Sequence, residues 1–354
     1  MGRRGKNVGG LGRFLTSLDD LGAALVAKKE MLLNSLELPT TSAHSELEHD
    51  KVEDVAQPPP LKKRRTSVLP ASDEKYDASA LVPRYASEED VPSHLRKYFA
   101  QRYRYFSRYD EGCLLDEEGW YSVTPEAIAD QIAERCRCDT VLDAFCGVGG
   151  NAIAFTKTCN RVIALDTSPV RLALARHNAI IYGVADRIEF ILADYLSFAR
   201  SYLSRPPKDR GRVVDVVFLS PPWGGPSYLL ASPTKEPSKN PLDAETPSSE
   251  YSLSNILPIH GAELFRLTRQ ITRNVAYFLP RNVSLQDVST LISPSTGGST
   301  GDPDMIPTQR TEVEASSSTP ERVEVEEEYL GGKLKALTCY FGGLVQGQED
   351  MFEE

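Results

Sequence analysis

Short apolar runs alternate with amphipathic stretches through the middle of the chain. The runs are rich in Val, Ile, Leu and Phe, which suits strands that are covered on both faces in a parallel sheet. The stretches between them repeat apolar residues at helical spacing. Alternating strands and helices indicate a parallel sheet with right-handed crossovers. Strands are predicted at 140–145, 161–166, 187–192, 213–219 and 275–279, and helices at 150–158, 168–181 and 261–273.

The pattern changes towards both ends of this region. Two stretches at 323–329 and 334–341, separated by Gly331 and Gly332, predict an antiparallel hairpin that closes the sheet. Residues 92–109 begin with a proline and contain no later helix breaker, so they predict one helix. The sequence therefore predicts an α/β fold: a mostly parallel twisted sheet with a C-terminal antiparallel hairpin and a small helical N-terminal extension.

Composition divides the chain into segments. Residues 1–82 are rich in Pro, Ser and Glu and poor in aromatic residues, which predicts a disordered tail. Further along, Thr124 is expected to be the N-cap of a helix at 126–133, with Pro125 at the first helical position. The other predicted segments are the helical extension at 83–138, the sheet domain at 139–345 with low-complexity inserts at about 229–256 and 293–320, and an acidic tail at 346–354.

Charge is distributed unevenly along the chain. The formal net charge of −10 argues against a wholly basic nucleic-acid binder. Within residues 96–108, however, there are bases and no acid, and aromatic residues lie between the bases. Bases mixed with aromatics are typical of an RNA-facing surface, although an amphipathic helix that buries its aromatics has the same pattern. The bases are Arg96, Lys97, Arg102, Arg104 and Arg108.

Several classes of protein do not fit the composition. The six cysteines contain no CxxC pair, and with only five histidines the sequence predicts no metal site. No apolar run approaches the ~20 residues of a membrane span, so we expect no membrane association. Residues 62–65 read Lys-Lys-Arg-Arg, which predicts a nuclear-import signal and a nuclear location, with the nucleolus or Cajal-type bodies as candidate sites. A solvated charge run is the alternative interpretation.

Residues 141–151 carry the first motif with chemical content. They combine a buried strand, a glycine turn and the start of a helix. Gly147, Gly149 and Gly150 would let the backbone approach a ligand where a Cβ would clash. The first turn of the following helix offers free N–H groups and a partial positive charge. Dinucleotide oxidoreductases use a similar turn, so the glycines alone do not identify the ligand.

Three acids at the ends of successive strands narrow the choice of cofactor. Asp143 lies where it would repel a pyrophosphate but could accept a hydrogen bond from an ammonium group. Asp166 ends the second strand and is placed to hold ribose hydroxyls. Asp194 follows the third strand, within reach of an adenine amino group. A cofactor with a ribose and a cationic amino-acid tail fits these acids, and S-adenosylmethionine is such a cofactor. The alternative is that the acids simply terminate strands of an ordinary doubly wound fold.

The second motif is Ser220-Pro221-Pro222-Trp223, after the fourth strand. The prolines lack N–H donors and hold rigid carbonyls at the ligand-binding edge of the sheet. A carbonyl and the Ser220 hydroxyl can both accept from an exocyclic amino group, and positioning that group is most of the catalysis in methyl transfer. Trp223 offers a π face that binds a cationic base most strongly. The alternative is a strand-ending Pro-Pro next to a core tryptophan.

Together these motifs resemble the trimethylguanosine synthase family, which converts a 7-methylguanosine RNA cap into the 2,7-dimethyl and 2,2,7-trimethyl forms with S-adenosylmethionine. The resemblance covers about residues 92–341 apart from the two inserts. It rests on the sequences at 98–110, 118–126, 143–151, 218–226 and 277–282.

The resemblance implies a Rossmann-like, S-adenosylmethionine-dependent methyltransferase core and a set of site residues. Ser220, Pro221, Pro222 and Trp223 would be catalytic, and Trp223 would also stack on the 7-methylguanine. The partners of the protein would be 7-methylguanosine-capped RNA of the small nuclear or nucleolar type, delivered by RNA–protein particles. The expected cofactor contacts are Thr124, Asp143, Phe145, Gly147, Gly149, Asp166 and Asp194, and the further substrate contacts are Lys97, Arg281 and Asn282.

Other functions stay open from the residues alone. A methyltransferase acting on the N2 of guanine or the N6 of adenine at internal RNA positions would use the same motif without needing a 7-methyl group. A cap-binding module that has lost catalysis would keep the tryptophan, although the intact Asp143, Asp166 and Ser220 argue against it. An oxidoreductase fits least, because Asp143 lies in the approach to the glycine turn.

Overall fold

A computed structural model of the protein describes residues 67–211, 213–225, 250–292 and 321–347. The chain divides into two units, Met1–Asp77 and Ala78–Glu354. The described part of the first unit contains a 3-10 helix at Ala71–Tyr76, and the fold below is that of the second unit. The predictions for residues 1–66, for most of the first insert, for the second insert and for residues 348–354 lie outside the described residues.

The second unit is built on a seven-stranded sheet with the order β3-β2-β1-β4-β5-β7-β6. Strands β1 to β5 pair in parallel, and β7 runs antiparallel between β5 and β6. The predicted parallel sheet, its closing hairpin and the Rossmann-like fold class are therefore confirmed. The strands are β1 (Thr140–Asp143), β2 (Arg161–Asp166), β3 (Ile188–Leu192), β4 (Val216–Leu219), β5 (Val275–Pro280), β6 (Glu324–Leu330) and β7 (Lys333–Phe341).

Helices precede the sheet and connect its strands. Short 3-10 helices lie at Tyr109–Glu111, Ala185–Arg187, Pro207–Asp209, Leu253–Asn255 and Gly342–Leu344. The α-helices are α1 (Arg96–Phe99), α2 (Arg102–Tyr105), α3 (Gly119–Ser122), α4 (Glu126–Arg135), α5 (Gly150–Phe155), α6 (Pro169–Ile181), α7 (Tyr195–Leu203), α8 (Gly261–Thr268) and α9 (Leu285–Ser289).

Helices cover both faces of the sheet, which explains why its parallel strands are apolar at nearly every position. On β4, Val217 and Leu219 belong to one core cluster with Tyr195 of α7 and Phe265 of α8. Phe218 points the other way and packs edge-on against Phe155 of α5, with the ring centres 5.3 Å apart. Successive side chains of a strand alternate between its faces, so both faces of β4 are buried.

Several predicted elements are too long at their ends. Strand β4 begins at Val216 rather than at residue 213, because Val213 is 72% exposed. In the loop just before β4, the Asp215 carboxylate accepts a hydrogen bond from the Thr140 backbone N–H at 2.7 Å. Helices α5 and α8 end earlier than predicted because their last turns change to 3-10 hydrogen bonds, between residues three apart. One example is the 2.9 Å bond that the Lys157 backbone N–H donates to the Ala154 carbonyl. Such shifts leave the topology unchanged.

The predicted single helix at 92–109 is wrong. The segment forms two separate turns, α1 and α2, followed by the 3-10 helix at Tyr109–Glu111. Tyr105 and Phe106 are neighbours in sequence and both are buried, at 8% and 2% exposure. Adjacent residues of a continuous helix project in different directions, so the chain turns extended at Phe106 to bury both rings. Tertiary burial overrides the helical pattern here.

The prediction for Thr124 as a helix cap is also wrong. Helix α4 begins at Glu126, and its N-cap is Pro125, whose ψ of 137° is extended rather than helical. The Thr124 hydroxyl instead accepts a hydrogen bond from the Asn151 side-chain amide at 2.9 Å. Thr124 therefore joins the segment before α4 to the first turn of α5.

Candidate active site

A cavity of about 620 Å³ opens at the edge of the sheet where the parallel strands end. Its wall combines the loops after β1, β2 and β4 with the segment from α1 to α4 and with the β6–β7 hairpin. Open α/β sheets bind ligands at this edge. Among the predicted site residues, the wall contains Lys97, Thr124, Phe145, Gly147, Asp166, Asp194, Ser220, Pro221, Pro222, Trp223 and Arg281.

The glycine loop after β1 contains two glycines with different surroundings. Gly147 has a φ of +53°, and a Cβ built on it would meet no heavy atom within 4 Å, so this backbone faces open space in the cavity. Gly149 has a φ of +92°, but its Cβ would lie 3.0 Å from Ala175 of α6. Gly149 is absent from the described wall of the cavity. Gly147 therefore allows an approach from the cavity, whereas Gly149 allows close packing of α6.

Asp143 at the end of β1 is completely buried behind the cavity wall. Neither carboxylate oxygen has a hydrogen-bond partner among the described residues. Burial raises the pKa of this carboxyl to about 7, the Asp166 charge adds to the rise, and the Phe145 backbone opposes it without making a hydrogen bond of normal geometry. Buried charges are normally paired, so an unpaired acid at this position suits a cationic ligand.

Asp166 at the end of β2 lies on the cavity wall and is 9% exposed. One carboxylate oxygen accepts the Gly147 backbone N–H at 3.0 Å, and the other accepts that of Ser168 at 2.7 Å. These bonds fix the carboxylate beside the glycine loop. Burial raises its pKa, although both backbone donors counteract the rise. A carboxylate oxygen has two lone-pair sites, so Asp166 can still accept from ligand hydroxyls.

Phe145 and Asp194 form the part of the wall next to α7. The Phe145 ring packs on Tyr195, with centres 5.7 Å apart. Asp194 caps α7 by accepting the Ser197 N–H at 2.9 Å. The cap holds the Asp194 carboxylate at the cavity with one oxygen committed to the helix.

The motif at 220–223 leaves β4 and forms the opposite side of the cavity. The Ser220 hydroxyl lies 3.4 Å from the Phe145 carbonyl oxygen, so it bridges the loops after β1 and β4. The Trp223 ring lies 5.2 Å from the Phe278 ring at an angle of 33°, and its carbonyl accepts from the Tyr251 hydroxyl at 3.2 Å. Trp223 also packs partly against the core, so the two predicted roles, core residue and cavity wall, are both present.

Cations gather at the mouth of the cavity. Lys97 and Arg281 line it, and Lys335 of β7 lines it as well. Partial burial lowers the pKa of Lys335, and the charges of Lys333, Arg104 and Arg281 lower it further. Asn282, by contrast, is not part of the described wall, and its backbone carbonyl accepts the Tyr251 N–H at 2.7 Å. The mouth therefore favours an anionic group.

Comparison with known proteins agrees with this geometry. The family model described as RNA cap guanine-N2 methyltransferase matches residues 138–238 and 243–344. The chain belongs to this family.

Relatives within the family carry the name that the sequence motifs predict. Trimethylguanosine synthase of Schizosaccharomyces pombe is 37% identical over 227 residues, which are 61% of this chain and 83% of that protein. Trimethylguanosine synthase of Saccharomyces cerevisiae is 32% identical over 202 residues, 55% of this chain and 57% of that protein. The predicted family is confirmed, and the protein is a methyltransferase.

The solved structures that match this chain are more distant in sequence. An S-adenosylmethionine-dependent methyltransferase from Agrobacterium tumefaciens has a TM-score of 0.38 and 15% identity, covering 62% of this chain and 63% of its own. A methyltransferase from Geobacter sulfurreducens has a TM-score of 0.34 and 12% identity, covering 72% and 92%.

Some residues of the cap methyltransferase site were missed in the sequence. Arg171 of α6 lines the cavity and forms ion pairs with Asp116, at 3.0 Å, and with Glu118. The buried amide of Asn178, also on α6, donates to the carbonyls of Leu114 and Val148, both at 2.9 Å. Helix α6 thus ties the N-terminal extension to the glycine loop. Arg171 and Asn178 are seven residues apart and therefore lie on the same face of α6. Nothing in the sequence, however, pairs them with residues 114–118.

Lys335 could have been found from the sequence. Lys333 and Lys335 alternate along the last strand, so they share a face, and that strand follows a glycine turn.

Among the described residues of the cap methyltransferase, no group of three or more His, Cys, Asp and Glu side chains is placed to hold a metal ion. None of the helices in the described ranges has the length and apolar character needed to cross a membrane.

Proposed function

We propose that this enzyme transfers methyl groups from S-adenosylmethionine to the N2 amino group of a 7-methylguanosine RNA cap, giving the 2,7-dimethyl and 2,2,7-trimethyl forms. The observation that carries the proposal is the placement of Trp223, Ser220 and the cations around one cavity beside the glycine loop. A cap offers a cationic base, an amino group and a chain of phosphates, and each has a counterpart in this wall.

The residues around the glycine loop fit the proposed cofactor. The buried, unpaired Asp143 suits an ammonium group, Asp166 suits ribose hydroxyls, and the open space at Gly147 admits a ligand against the backbone. Asp194 lies on the same wall, where it suits an adenine amino group. S-adenosylmethionine, when bound, supplies a methyl group on a sulfonium centre. The protein's task is to hold the acceptor nitrogen in line with it.

Ser220 and the two prolines would orient the acceptor. The Ser220 hydroxyl donates towards the Phe145 carbonyl at 3.4 Å, which leaves its lone pairs for an incoming amino group. Held in this way, the nitrogen lone pair can point at the methyl group. The amino proton can leave to water after transfer, so positioning replaces a general base.

Trp223 and the cations would select the cap. A 7-methylguanine carries a delocalised positive charge, and a desolvated indole binds such a charge with about 2 kcal/mol or more. Lys97, Arg281 and Lys335 would then neutralise the cap phosphates, with Lys335 added to the two residues predicted from the sequence. Burial lowers the pKa of Lys335 most, and the neighbouring positive charges, which a phosphate would offset, lower it further.

The deciding experiment combines purified protein, labelled S-adenosylmethionine and 7-methylguanosine diphosphate, with mono-, di- and trimethylated products resolved. We expect dimethyl and trimethyl products, and no product from guanosine diphosphate. Equal transfer to both would favour an enzyme of internal RNA positions. Cofactor binding without product would favour an inactive cap-binding module.

Trp223 variants test the cap specificity separately. Trp223→Ala should raise the Kd for 7-methylguanosine diphosphate about 30-fold, which corresponds to ~2 kcal/mol, while changing cofactor affinity less than about threefold. Trp223→Phe should keep part of the preference. If Trp223→Ala binds the methylated and unmethylated nucleotides with the wild-type ratio, the tryptophan does not read the 7-methyl group.

For the cellular role we propose small nuclear and nucleolar RNAs as substrates, presented within RNA–protein particles, and a nuclear location. The support is the Lys-Lys-Arg-Arg run at 62–65 together with the family resemblance. Changing the four residues to alanine should move a tagged protein to the cytoplasm. Unchanged nuclear accumulation would assign the run to a solvated tail.

A further inference from the structure

The cationic group at the cavity mouth continues beyond the cavity. Arg104 of α2 and Lys333 of β7 are both exposed, and neither belongs to the described wall of the cavity. Besides burial, the charges of both lower the pKa of Lys335, which does line the wall, so both lie within electrostatic range of it. A Cβ built on Gly331, in the β6–β7 turn, would lie 3.7 Å from Arg104 Nη1. The turn therefore brings Arg104 and Lys333 together at the rim; we call this pair the rim cations.

Within the ranges that the structure describes, no acidic side chain neutralises the rim cations. Among the described residues, neither Arg104 nor Lys333 forms an ion pair, whereas Arg135, Arg171 and Arg269 each have a carboxylate within 3.0 Å. Like charges held together repel one another, and a bound anion relieves the repulsion. The arrangement thus favours a partner that carries several negative charges in succession.

Acids on β6 set the boundary of this surface. The Arg135 guanidinium binds Glu324 at 2.8 Å, the Gln131 amide binds Glu326 at 2.5 Å, and Glu328 is buried. Glu327 is exposed and accepts from the Tyr329 hydroxyl at 2.8 Å. The start of β6 therefore carries acids and an arginine that is already paired with them, whereas its turn carries the rim cations.

Tyr329 stands at this boundary with 54% of its surface exposed. Tyr329 pairs with Leu334 across β6 and β7, whereas Lys333 pairs with Leu330, so the ring lies on the opposite face of the hairpin from Lys333. The choice of RNA over an acidic protein segment follows instead from continuity with the cavity that is proposed to hold the capped end of an RNA, because the rim cations act on its wall residue Lys335.

We propose that Arg104 and Lys333 bind phosphates of the nucleotides that follow the cap, so that the preferred substrate is a capped RNA chain rather than a cap nucleotide. The proposal rests on the proposed function above. It adds a binding surface outside the cavity, on which the RNA leaves the site across the β6–β7 turn.

The test compares two substrates and two double variants. The substrates are a 7-methylguanosine cap dinucleotide and an oligoribonucleotide of roughly ten nucleotides with the same cap. The first variant is Arg104→Glu with Lys333→Glu. The matched control is Lys208→Glu with Arg266→Glu, which makes the same change of charge at exposed residues outside the described cavity wall.

We expect the rim variant to lower kcat/KM for the capped oligonucleotide about tenfold through KM, with the cap dinucleotide changed less than twofold. For single-stranded nucleic acid, each phosphate contact contributes about 0.7 to the slope of log affinity against log salt concentration. The slope for the oligonucleotide should therefore fall by about 1.4 in the rim variant and stay unchanged in the control. Restoring the charges as Arg104→Lys with Lys333→Arg should restore the oligonucleotide activity.

Equal losses on both substrates would overturn the proposal, because the residues would then act in the cap site or in folding; melting temperatures and the milder change of both residues to Gln separate those two cases. Loss on neither substrate, or an equal loss in the control, would overturn it too. Failure of the proposed function looks different, since the wild-type enzyme would then leave the cap of both substrates without a new methyl group. Fluorescence anisotropy of the labelled oligonucleotide would still show whether the rim variant binds RNA more weakly.

Discussion

At the scale of single residues, Asp143 is the side chain whose environment is hardest to reconcile with stability alone. It is fully buried and its oxygens have no partner among the described residues. Its position at a strand end was predicted from the sequence, because strand ends and glycine turns have local signatures. Its burial and missing partner could not be, because they depend on side chains far away in the chain.

The sign of its effect on stability follows from its pKa. Burial raises the pKa of Asp143 to about 7, whereas a carboxyl in an unfolded chain titrates near ~4. Between these values the folded state keeps a proton that the unfolded state has lost. This contribution to the free energy of unfolding therefore decreases as pH rises from about 4 to about 7, and is constant above that.

Asp143→Asn tests this account. The variant should be more stable than the wild type by roughly 2–4 kcal/mol at pH 8, with the difference vanishing near pH 4. Its affinity for S-adenosylmethionine should be lower, and the wild-type rise in affinity between about pH 6 and 8 should be lost. Urea unfolding and calorimetry at several pH values measure both. A variant that is no more stable at pH 8, and binds as well as the wild type, would remove Asp143 from the cofactor site.

At the scale of elements, the glycine loop shows that one sequence pattern serves two purposes. The motif predicts that its glycines let a ligand approach, which agrees with the open surroundings of Gly147 but not with those of Gly149. Gly149 instead lets α6 pack on the loop, and α6 carries Arg171 and Asn178. Local spacing predicted the loop. It could not distinguish the two glycines, because their neighbours come from another helix. The segment at 92–109 shows the same limit, since its break at Phe106 depends on burial.

Three matched Gly→Ala variants separate ligand approach, packing and backbone strain. Gly183 has a φ of +73° with nothing near its Cβ, so Gly183→Ala should cost only the left-handed backbone, about 1–2 kcal/mol. Gly147→Ala should lose a similar amount of stability and also bind the cofactor less tightly. Gly149→Ala should lose clearly more stability, because its Cβ meets Ala175 at 3.0 Å. Melting curves and cofactor titrations check all three variants. Equal cofactor affinity in Gly147→Ala and Gly183→Ala would contradict the close approach of the cofactor to Gly147.

At the scale of the whole molecule, the cavity unites parts of the chain that lie far apart in sequence. Its wall takes Lys97 from before the sheet domain and Lys335 from the last strand. The sheet order was predictable because alternating strands and helices leave few topologies. The placement of Lys97 and Lys335 on the wall of one cavity was not predictable, because no local signal records how distant segments come together. The family model begins to match at residue 138, after the first part of this wall.

Truncation tests whether the extension belongs to the fold. Phe99, Phe106, Tyr109 and Trp120 are each at most 3% exposed, so removing them would uncover a large apolar surface. A chain of residues 78–347 should melt cooperatively and bind the cofactor. A chain of residues 138–347 should show no cooperative transition in calorimetry. Similar melting of the two chains would make the extension a separate addition.

The place of β7 between β5 and β6 also bears on how the enzyme is made. β5 acquires its second neighbour only when residues 333–341 arrive, and the same strand brings Leu334, Lys335 and Ala336 to the cavity. On the ribosome, the glycine loop and the two acids beside it, Asp143 and Asp166, emerge long before this strand does. A nascent chain could therefore form its cofactor side early while its substrate side still lacks the residues of β7. We expect full activity only after β7 has emerged from the ribosome.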